Sequence, residues 1–414
     1  MFDNVLYQPA SELLIKDISG GTLPNAVLFS GPDSSGKLTC ALELARVLSC
    51  RAPGEAKGHW LCTCPSCLRH KALNTPDVII AGPGDCTPEI RASAETLINA
   101  AENSASWIKA AVYLFIRSVR KLTLRFSPVL WEGDDKAGKA APYLAAIEEL
   151  LEEISPEKEL METEKLKKTI EAVIKQCSGL ESSLMYDTVP VNQIRRAATW
   201  ARMTAPESKK CIILENADKM QDSVRNAILK ILEEPPEDTI FVLTTTRRGA
   251  IIPTILSRVR TYTFIERTET QQSEIVSRVF HKENNASLAD KASGSSYGTV
   301  SGFLSSFLPV SYDEIKKESV AFCNSLLTGR RIDLDEMVKN LCGFEPRVIL
   351  KLFFEFVLEY LGSFLRENVD SEKLASRTEK SAEILSAIRT AYDNITIYNQ
   401  SVVSALEALY ERVV

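Results

Sequence analysis

Ala26-Val27-Leu28-Phe29-Ser30-Gly31-Pro32-Asp33-Ser34-Ser35-Gly36-Lys37-Leu38-Thr39 decides how this chain is read. An apolar run leads into a Gly/Ser/Pro loop. Leu38 to Ser49 then shows helical spacing through Leu42, Leu44 and Leu48. A buried strand, a glycine loop and a helix, in that order, are the setting in which a phosphate-binding loop has meaning. The loop nearly fits GxxxxGK[ST]. Gly31 and Gly36 let backbone N–H groups turn onto phosphate oxygens, the helix adds its positive end, and Lys37 reaches the β/γ-phosphates. The position that should hold Mg²⁺ through a hydroxyl is Leu38. Thr39 comes one residue later, about 100° around the helix. The pattern points to nucleotide binding and away from Mg²⁺-dependent hydrolysis. An accidental Gly/Ser turn is the alternative.

A hydrolytic loop of this kind also needs a strand ending in two acids, one for the metal and one to activate water. The best candidate ends Leu214-Glu215-Asn216-Ala217-Asp218. In one register Glu215 takes the metal position and the neutral amide of Asn216 takes the base position. In the other, Glu215 is the base and Leu214 replaces the metal ligand. Either way one acid is absent. With Leu38 this makes two independent defects in one site, so the expectation is a dead or very slow ATPase.

Further strand-like runs are Asp77 to Ile80, Cys211 to Leu214 and Thr239 to Leu243, with a helix from Ser223 to Leu232 before the last. Residues 9 to 20 also have helical spacing. Strands alternating with helices predict an α/β fold with a three-layer parallel sheet. Between about 85 and 186 apolar residues recur at helical spacing: Leu144, Ile147, Leu151 and Ile154, then Leu166, Ile170 and Val173. This stretch reads as a helical insertion. Ser155-Pro156-Glu157 reads as a helix start, with an N-cap, a proline at the first helical position and an acid in the first turn. From about 266 the pattern is helical to the end.

The chain has 414 residues, 49 basic and 55 acidic side chains and a formal charge of −6. Hydrophobic residues make up 45% and charged residues 25%. That is ordinary globular composition and excludes a disordered or collagen-like chain. The acidic balance opposes a protein that coats nucleic acid by bulk charge, while leaving room for a local basic patch. No signal peptide is visible, and the most apolar run, Trp107 to Ile116, falls far short of the ~20 residues a spanning helix needs. The expectation is a cytoplasmic protein with reduced thiols and no membrane span.

Of the ten cysteines, Cys50, Cys62, Cys64 and Cys67 cluster in one loop. Four thiolates in a reducing compartment suit a closed structural Zn²⁺ site. Cys64-Pro65-Ser66-Cys67 is a true CxxC, whereas Cys62-Thr63-Cys64 is tight for two ligands on one metal. His59 and His70 are nearby substitutes, and a redox CxxC is the competing reading.

Asn226-Ala227-Ile228-Leu229-Lys230-Ile231-Leu232-Glu233-Glu234-Pro235-Pro236 is followed by Pro253-Thr254-Ile255-Leu256-Ser257-Arg258-Val259. These resemble the NALLKTLEEPP and PTILSRC signatures of the bacterial DNA polymerase III clamp-loader AAA+ subunits, of which the delta-prime type is nearest. Leu23-Pro24-Asn25-Ala26, Thr75-Pro76-Asp77 and Val191-Asn192-Gln193-Ile194-Arg195 add weaker matches. The resemblance covers about 1 to 84 and 187 to 265 well and the C-terminal end weakly. The CxC and the insertion are departures from the family pattern.

The resemblance implies a AAA+ P-loop domain over 1–265, carrying a zinc module at 50–67 and the insertion at about 85–186. A helical lid over 266–312 and an all-α collar over 313–414 would follow. It implies that Arg258 is an arginine finger offered to ATP on a neighbouring subunit. It puts the sensor-1 polar residue at Thr246, within a degenerate nucleotide site of Gly31, Gly36, Lys37, Thr39 and Glu215. Tyr297, in Gly294-Ser295-Ser296-Tyr297-Gly298, stands where a sensor-2 arginine belongs. Implied partners are the gamma/tau and delta subunits in a hetero-pentamer, and through it the sliding clamp and primed DNA. A catalytically active gamma/tau-type ATPase is the alternative. Within the insertion, Arg117, Arg120, Lys121 and Arg125 share one helical face. Such a stripe is read as a solvated face, with DNA phosphates as the sharper alternative.

Overall fold

The computed structural model describes residues 1–186, 188–203, 209–282, 299–366, 371–396 and 400–414; the side chains of Glu55, 371–376 and Thr396 are not described. The described residues form two compact units, Met1–Leu304 and Ser305–Val414.

The first unit is built on a five-stranded sheet of order β2-β3-β4-β1-β5. The strands are β1 (Ala26–Ser30), β2 (Val78–Ala81), β3 (Lys210–Leu214), β4 (Thr239–Thr245) and β5 (Arg260–Thr263). Every pairing is parallel, with Val27 beside Val242 and Arg260, and Ile80 beside Ile213. β1 to β4 are buried along their whole length, which is why they read as continuous apolar runs. The α/β class and the parallel sheet follow the sequence expectation. β5 has no counterpart among the expected strands. It is short and sits at the sheet edge, and only Tyr262 in it is fully buried.

Two cores flank the sheet. On one face Val27, Phe29, Ile80, Ile213 and Val242 pack against α1 (Pro9–Ser19) and α2 (Lys37–Leu48). On the other, Leu28, Ile79, Ile212 and Leu243 join a larger core that runs on into the helices of the insertion. These are α4 (Thr87–Glu102), α5 (Ile108–Thr123), α6 (Pro128–Trp131), α7 (Ala137–Glu153) and α8 (Thr163–Leu184). The insertion therefore extends the sheet's own core.

The helix start expected at Ser155-Pro156-Glu157 is not there. α7 ends at Glu153, and Ser155 closes one turn, its carbonyl accepting from Lys158 N at 3.0 Å. α8 begins at Thr163, just before the periodic apolar series Leu166, Ile170, Val173, Cys177 and Leu180. Local capping chemistry gave way to the point where a helix gains a buried face. The sequence continues through α9 (Val191–Arg202), α10 (Asp222–Glu233), α11 (Pro253–Leu256) and α12 (Glu269–Phe280). Thr268 and Gln271 form a capping box at the start of α12.

The second unit is helical, with helices at Tyr312–Thr328, Leu334–Asn340, Val348–Arg366, Ser371–Thr396 and Val402–Val413. Its core centres on Phe322, Phe344, Phe353 and Leu406. Among the described residues, no helix is long and apolar enough to cross a membrane.

Candidate functional site

The phosphate-type loop connects β1 to α2 at the carboxyl end of the sheet, where open α/β folds place their ligands. Gly36 is the N-cap of α2 with φ +92, a left-handed conformation that glycine adopts without strain. Gly31 passes so close to β5 that a Cβ there would lie 2.4 Å from the Phe264 carbonyl oxygen. Two cations of this chain bond to carbonyls of the loop. Lys37 Nζ donates to the Gly31 carbonyl at 2.7 Å and to that of Pro32. Arg267 Nη1 donates to the Ser34 carbonyl at 3.0 Å, while its Nε and Nη2 hold the Leu6 carbonyl. Burial pulls the Lys37 ammonium below its usual range; Asp33, Glu215 and Asp218 oppose that. Leu38 and Thr39 sit half-buried in the first turn of α2.

Glu215 follows β3 at the same end of the sheet. Its carboxylate is ion-paired with Arg125, which lies between α5 and α6; the two side chains are 15% and 3% exposed. The arginine also donates to the Lys121 carbonyl and fills the space beside Gly84, where a Cβ would lie 2.4 Å from Nη2. The acid that the sequence offers at the end of β3 is thus ion-paired from within the insertion. Asn216 takes a left-handed conformation, φ 53, and donates its amide to the Pro83 carbonyl at 3.3 Å. Asp218 is buried and accepts from Thr245 Oγ1 at 2.8 Å. Thr246 lies just past the end of β4, half-buried.

The rest of the basic stripe is likewise engaged, which corrects the reading of a solvated face. Arg117 donates to the carbonyls of His70 and Lys71, and Arg120 to that of Ala72. Lys121 pairs with Glu89 at 2.5 Å. The stripe pins α5 to the end of the helix that follows the cysteine loop, to Glu89 and to the end of β3. A cluster of free cations lies elsewhere. A cavity of about 440 Å³ between α9 and α10 is lined by Arg195, Thr199, Arg202, Asn226 and Lys230 among others. The three cations there are exposed and make no ion pair among the described residues.

The four expected cysteines converge. The Sγ atoms of Cys50, Cys62, Cys64 and Cys67 all lie within 4.8 Å of one another. Cys50 follows α2, and Cys64 is the N-cap of α3 (Pro65–Lys71), which carries Cys67. The Cys50–Cys62 sulfur separation is 3.8 Å. A tetrahedron with metal–sulfur bonds of about 2.3 Å places its sulfurs about 3.8 Å apart, so the donor set fits a metal ion. The single residue between Cys62 and Cys64 does not prevent this. His59 and His70 stand outside the group. His70 is buried, and desolvation lowers its pKa to about 4, so its ring is neutral at pH 7.

Arg46, itself buried on α2, ties that helix to the cysteine loop. It pairs with Glu43, donates to the Gly58 carbonyl at 2.7 Å and reaches Cys67 Sγ at 3.1 Å. Nothing in the cysteine spacing announced that arginine. Nor was there a sequence signal for Arg267 at the loop.

Arg258 follows α11. Its Nη1 donates to the Thr254 carbonyl and its Nη2 to Glu233 Oε1, both at 2.7 Å. The turn expected to carry sensor 2, residues 294–298, lies outside the described residues.

The family model described as "DNA polymerase III, delta subunit" matches residues 7–127 and 109–268. The chain belongs to that family. It is a clamp-loader family member, and its matched region spans the sheet, the cysteine loop and the insertion. Among curated proteins, "DNA polymerase III subunit delta'" of Bacillus subtilis is 43% identical over 56 residues, 14% of this chain and 17% of the relative. The subunit of that name in Pseudomonas aeruginosa is 37% identical over 71 residues, 17% of this chain and 22% of the relative. "DNA polymerase III subunit gamma/tau" of Mycobacterium tuberculosis is 42% identical over 55 residues, 13% of this chain and 10% of the relative. These matches therefore span about a fifth or less of each relative's length. A gamma subunit-related protein of DNA polymerase III from Thermotoga maritima aligns with 54% of this clamp-loader chain and 80% of its own. The identity is 19% and the TM-score 0.27, too loose a likeness to bear on function.

Proposed function

We infer that this protein is a delta-prime-like subunit of the DNA polymerase III clamp loader. In this reading it is a largely non-hydrolysing stator that lends Arg258 to ATP bound by a neighbouring subunit. The observation that carries the first half is the ion pair between Glu215 and Arg125. A carboxylate held by a guanidinium is a weaker base toward water and a poorer Mg²⁺ ligand, because the opposite charge stabilises its ionised form and occupies its oxygens. Leu38 removes the other metal ligand. The second half rests on the SR motif and on the partial exposure of Arg258, 31% at the side chain. A guanidinium fork set against a transferring phosphoryl group stabilises the charge that spreads over its oxygens.

The proposed partners are gamma/tau and delta subunits in a hetero-pentamer that acts on the sliding clamp and primed DNA in the cytoplasm. The lid and collar boundaries, 266–312 and 313–414, and the sensor-1 role of Thr246 belong to the same proposal. Zn²⁺ is the ion proposed for the four cysteines, because four thiolates suit it and a closed site is structural. Gly31, Gly36, Lys37 and Thr39 remain the candidate contacts for ATP, bound without turnover.

The identity to gamma/tau relatives favours a second reading, an active ATPase. Reconstitution separates the two. The isolated chain is expected to show no turnover above background. In complex with gamma/tau and delta, DNA-stimulated ATPase is expected to fall sharply on Arg258→Ala. Turnover by the isolated chain at rates typical of P-loop enzymes would sink the stator reading.

A further inference from the structure

We propose that Glu233 is the positioning residue for Arg258: it holds the guanidinium edge-on so that the remaining donors face outward to a phosphate. This rests on the reading of Arg258 as a finger donated in trans.

Glu233 is the last residue of α10, Glu234 is its C-cap, and Pro235 and Pro236 follow. Proline cannot continue the helix and restricts the residue before it, so the helix stops at a defined place. A carboxylate at that end is electrostatically misplaced, because the C-terminal end of a helix carries partial negative charge. The acid is therefore poorly explained by helix stability, and its contact supplies another reason. Glu233 Oε1 accepts from Arg258 Nη2 at 2.7 Å. From the other side, the Thr254 carbonyl and Ser257 Oγ accept from Nη1 at 2.7 and 3.3 Å.

The guanidinium is thus gripped at both terminal nitrogens by two different elements, α10 and α11 with its C-cap Ser257. A guanidinium has five N–H donors. These contacts use only part of that set, leaving Nε and the second hydrogen of Nη2 for an incoming oxygen. The side chains of Arg258 and Glu233 are 31% and 53% exposed, so an approaching phosphate need not displace buried structure. An arginine on a flexible stem loses rotamer freedom when it engages a ligand. Fixing it beforehand moves that loss out of the reacting complex.

The test uses the full chain assembled with gamma/tau and delta subunits, reading DNA-stimulated ATPase as separate kcat and KM. Glu233→Ala is expected to lower kcat by about ten- to a hundred-fold, as a misaligned catalytic group does, and to leave KM for ATP within about two-fold. Glu233→Asp should recover part of the loss. The double variant with Arg258→Ala should be no slower than Arg258→Ala alone. Assembly by size exclusion should be unchanged in all variants. Full kcat in Glu233→Ala beside a crippled Arg258→Ala overturns the positioning role and leaves the finger standing. So does a loss that multiplies with that of Arg258→Ala. Full kcat in Arg258→Ala overturns both.

Discussion

Arg125 and Glu215, separated by 90 positions in sequence, form an ion pair at the carboxyl end of the sheet, beside the phosphate-type loop. Burial works against the arginine's charge, but Cys86, Glu215, Glu181 and Glu89 around it raise its pKa. Through this contact the insertion reaches the end of the sheet that carries the phosphate-type loop.

Breaking that pair from one side should cost more than removing it whole. Arg125→Met leaves a carboxylate in a sparsely hydrated place and is expected to destabilise by about 3–5 kcal/mol. Arg125→Met with Glu215→Gln should recover much of that. Chemical denaturation of the four forms makes a double-mutant cycle, and additive losses would count against direct coupling.

The cysteine module predicts one tightly held metal per chain. Elemental analysis should find zinc, and stripping it with a chelator should lower the melting temperature. Cys67→Ser should do the same, because its thiol lies against Arg46 in the core. Purified protein that is stable and metal-free would refute the site.

Glu181 gives a pH signature. It accepts from Cys86 N, and from Thr87 N at 3.0 Å, at the start of α4. Burial nevertheless pushes its pKa from 4.5 up to about 7. A group whose folded pKa is raised stabilises the fold most below its unfolded pKa and loses that contribution as pH rises through the folded value. Between about pH 4.5 and 7 the contribution should therefore fall, by roughly 3 kcal/mol in all. Glu181→Gln should flatten this component of the stability–pH curve. If wild type and variant run parallel across that window, the assignment fails.

Gly31 tests how tightly the loop is packed against the strand edge. Gly31→Ala places a Cβ 2.4 Å from the Phe264 carbonyl oxygen and 2.6 Å from its Cβ, and should cost about 1–3 kcal/mol. Gly138→Ala in α7 meets nothing within 4 Å and should gain up to about 1 kcal/mol. Thermal melts of both variants decide this; a neutral Gly31→Ala contradicts the close approach.

Among the described residues, the α9–α10 groove with Arg195, Arg202 and Lys230 is the surface expected to bind DNA phosphates if this chain touches DNA. Removing each is expected to reduce the salt slope of binding by about 1. Variants of Arg117 and Arg120 should weaken folding before they alter that slope, since both side chains hold carbonyls at the end of α3. An unchanged slope after neutralising the groove rules it out as the contact.

Much of the molecule is written locally. The strand–loop–helix around Gly31 to Lys37, the buried apolar strands and the four cysteines follow from periodicity, glycine conformation and thiol chemistry. Leu38 and Asn216 already marked the phosphate-type loop and the end of β3 as incomplete for hydrolysis, because a missing hydroxyl and a neutral amide are defects of residue type. β5 escaped notice because it is short, lies at the edge and buries little. The false helix start at Ser155 shows that a cap signal alone does not make a helix. What only the tertiary structure decided is where the charges go. Arg125 reaches Glu215, Arg46 reaches Cys67, and Arg267 reaches the loop carbonyl of Ser34. Each is a long side chain whose partner is distant in sequence or hidden in an irregular segment. Helical periodicity puts four cations on one face of the insertion; only the packed fold turns that face inward. The reason is that a buried charge is tolerable only where a partner meets it, and the chain's path through space fixes which partner that is.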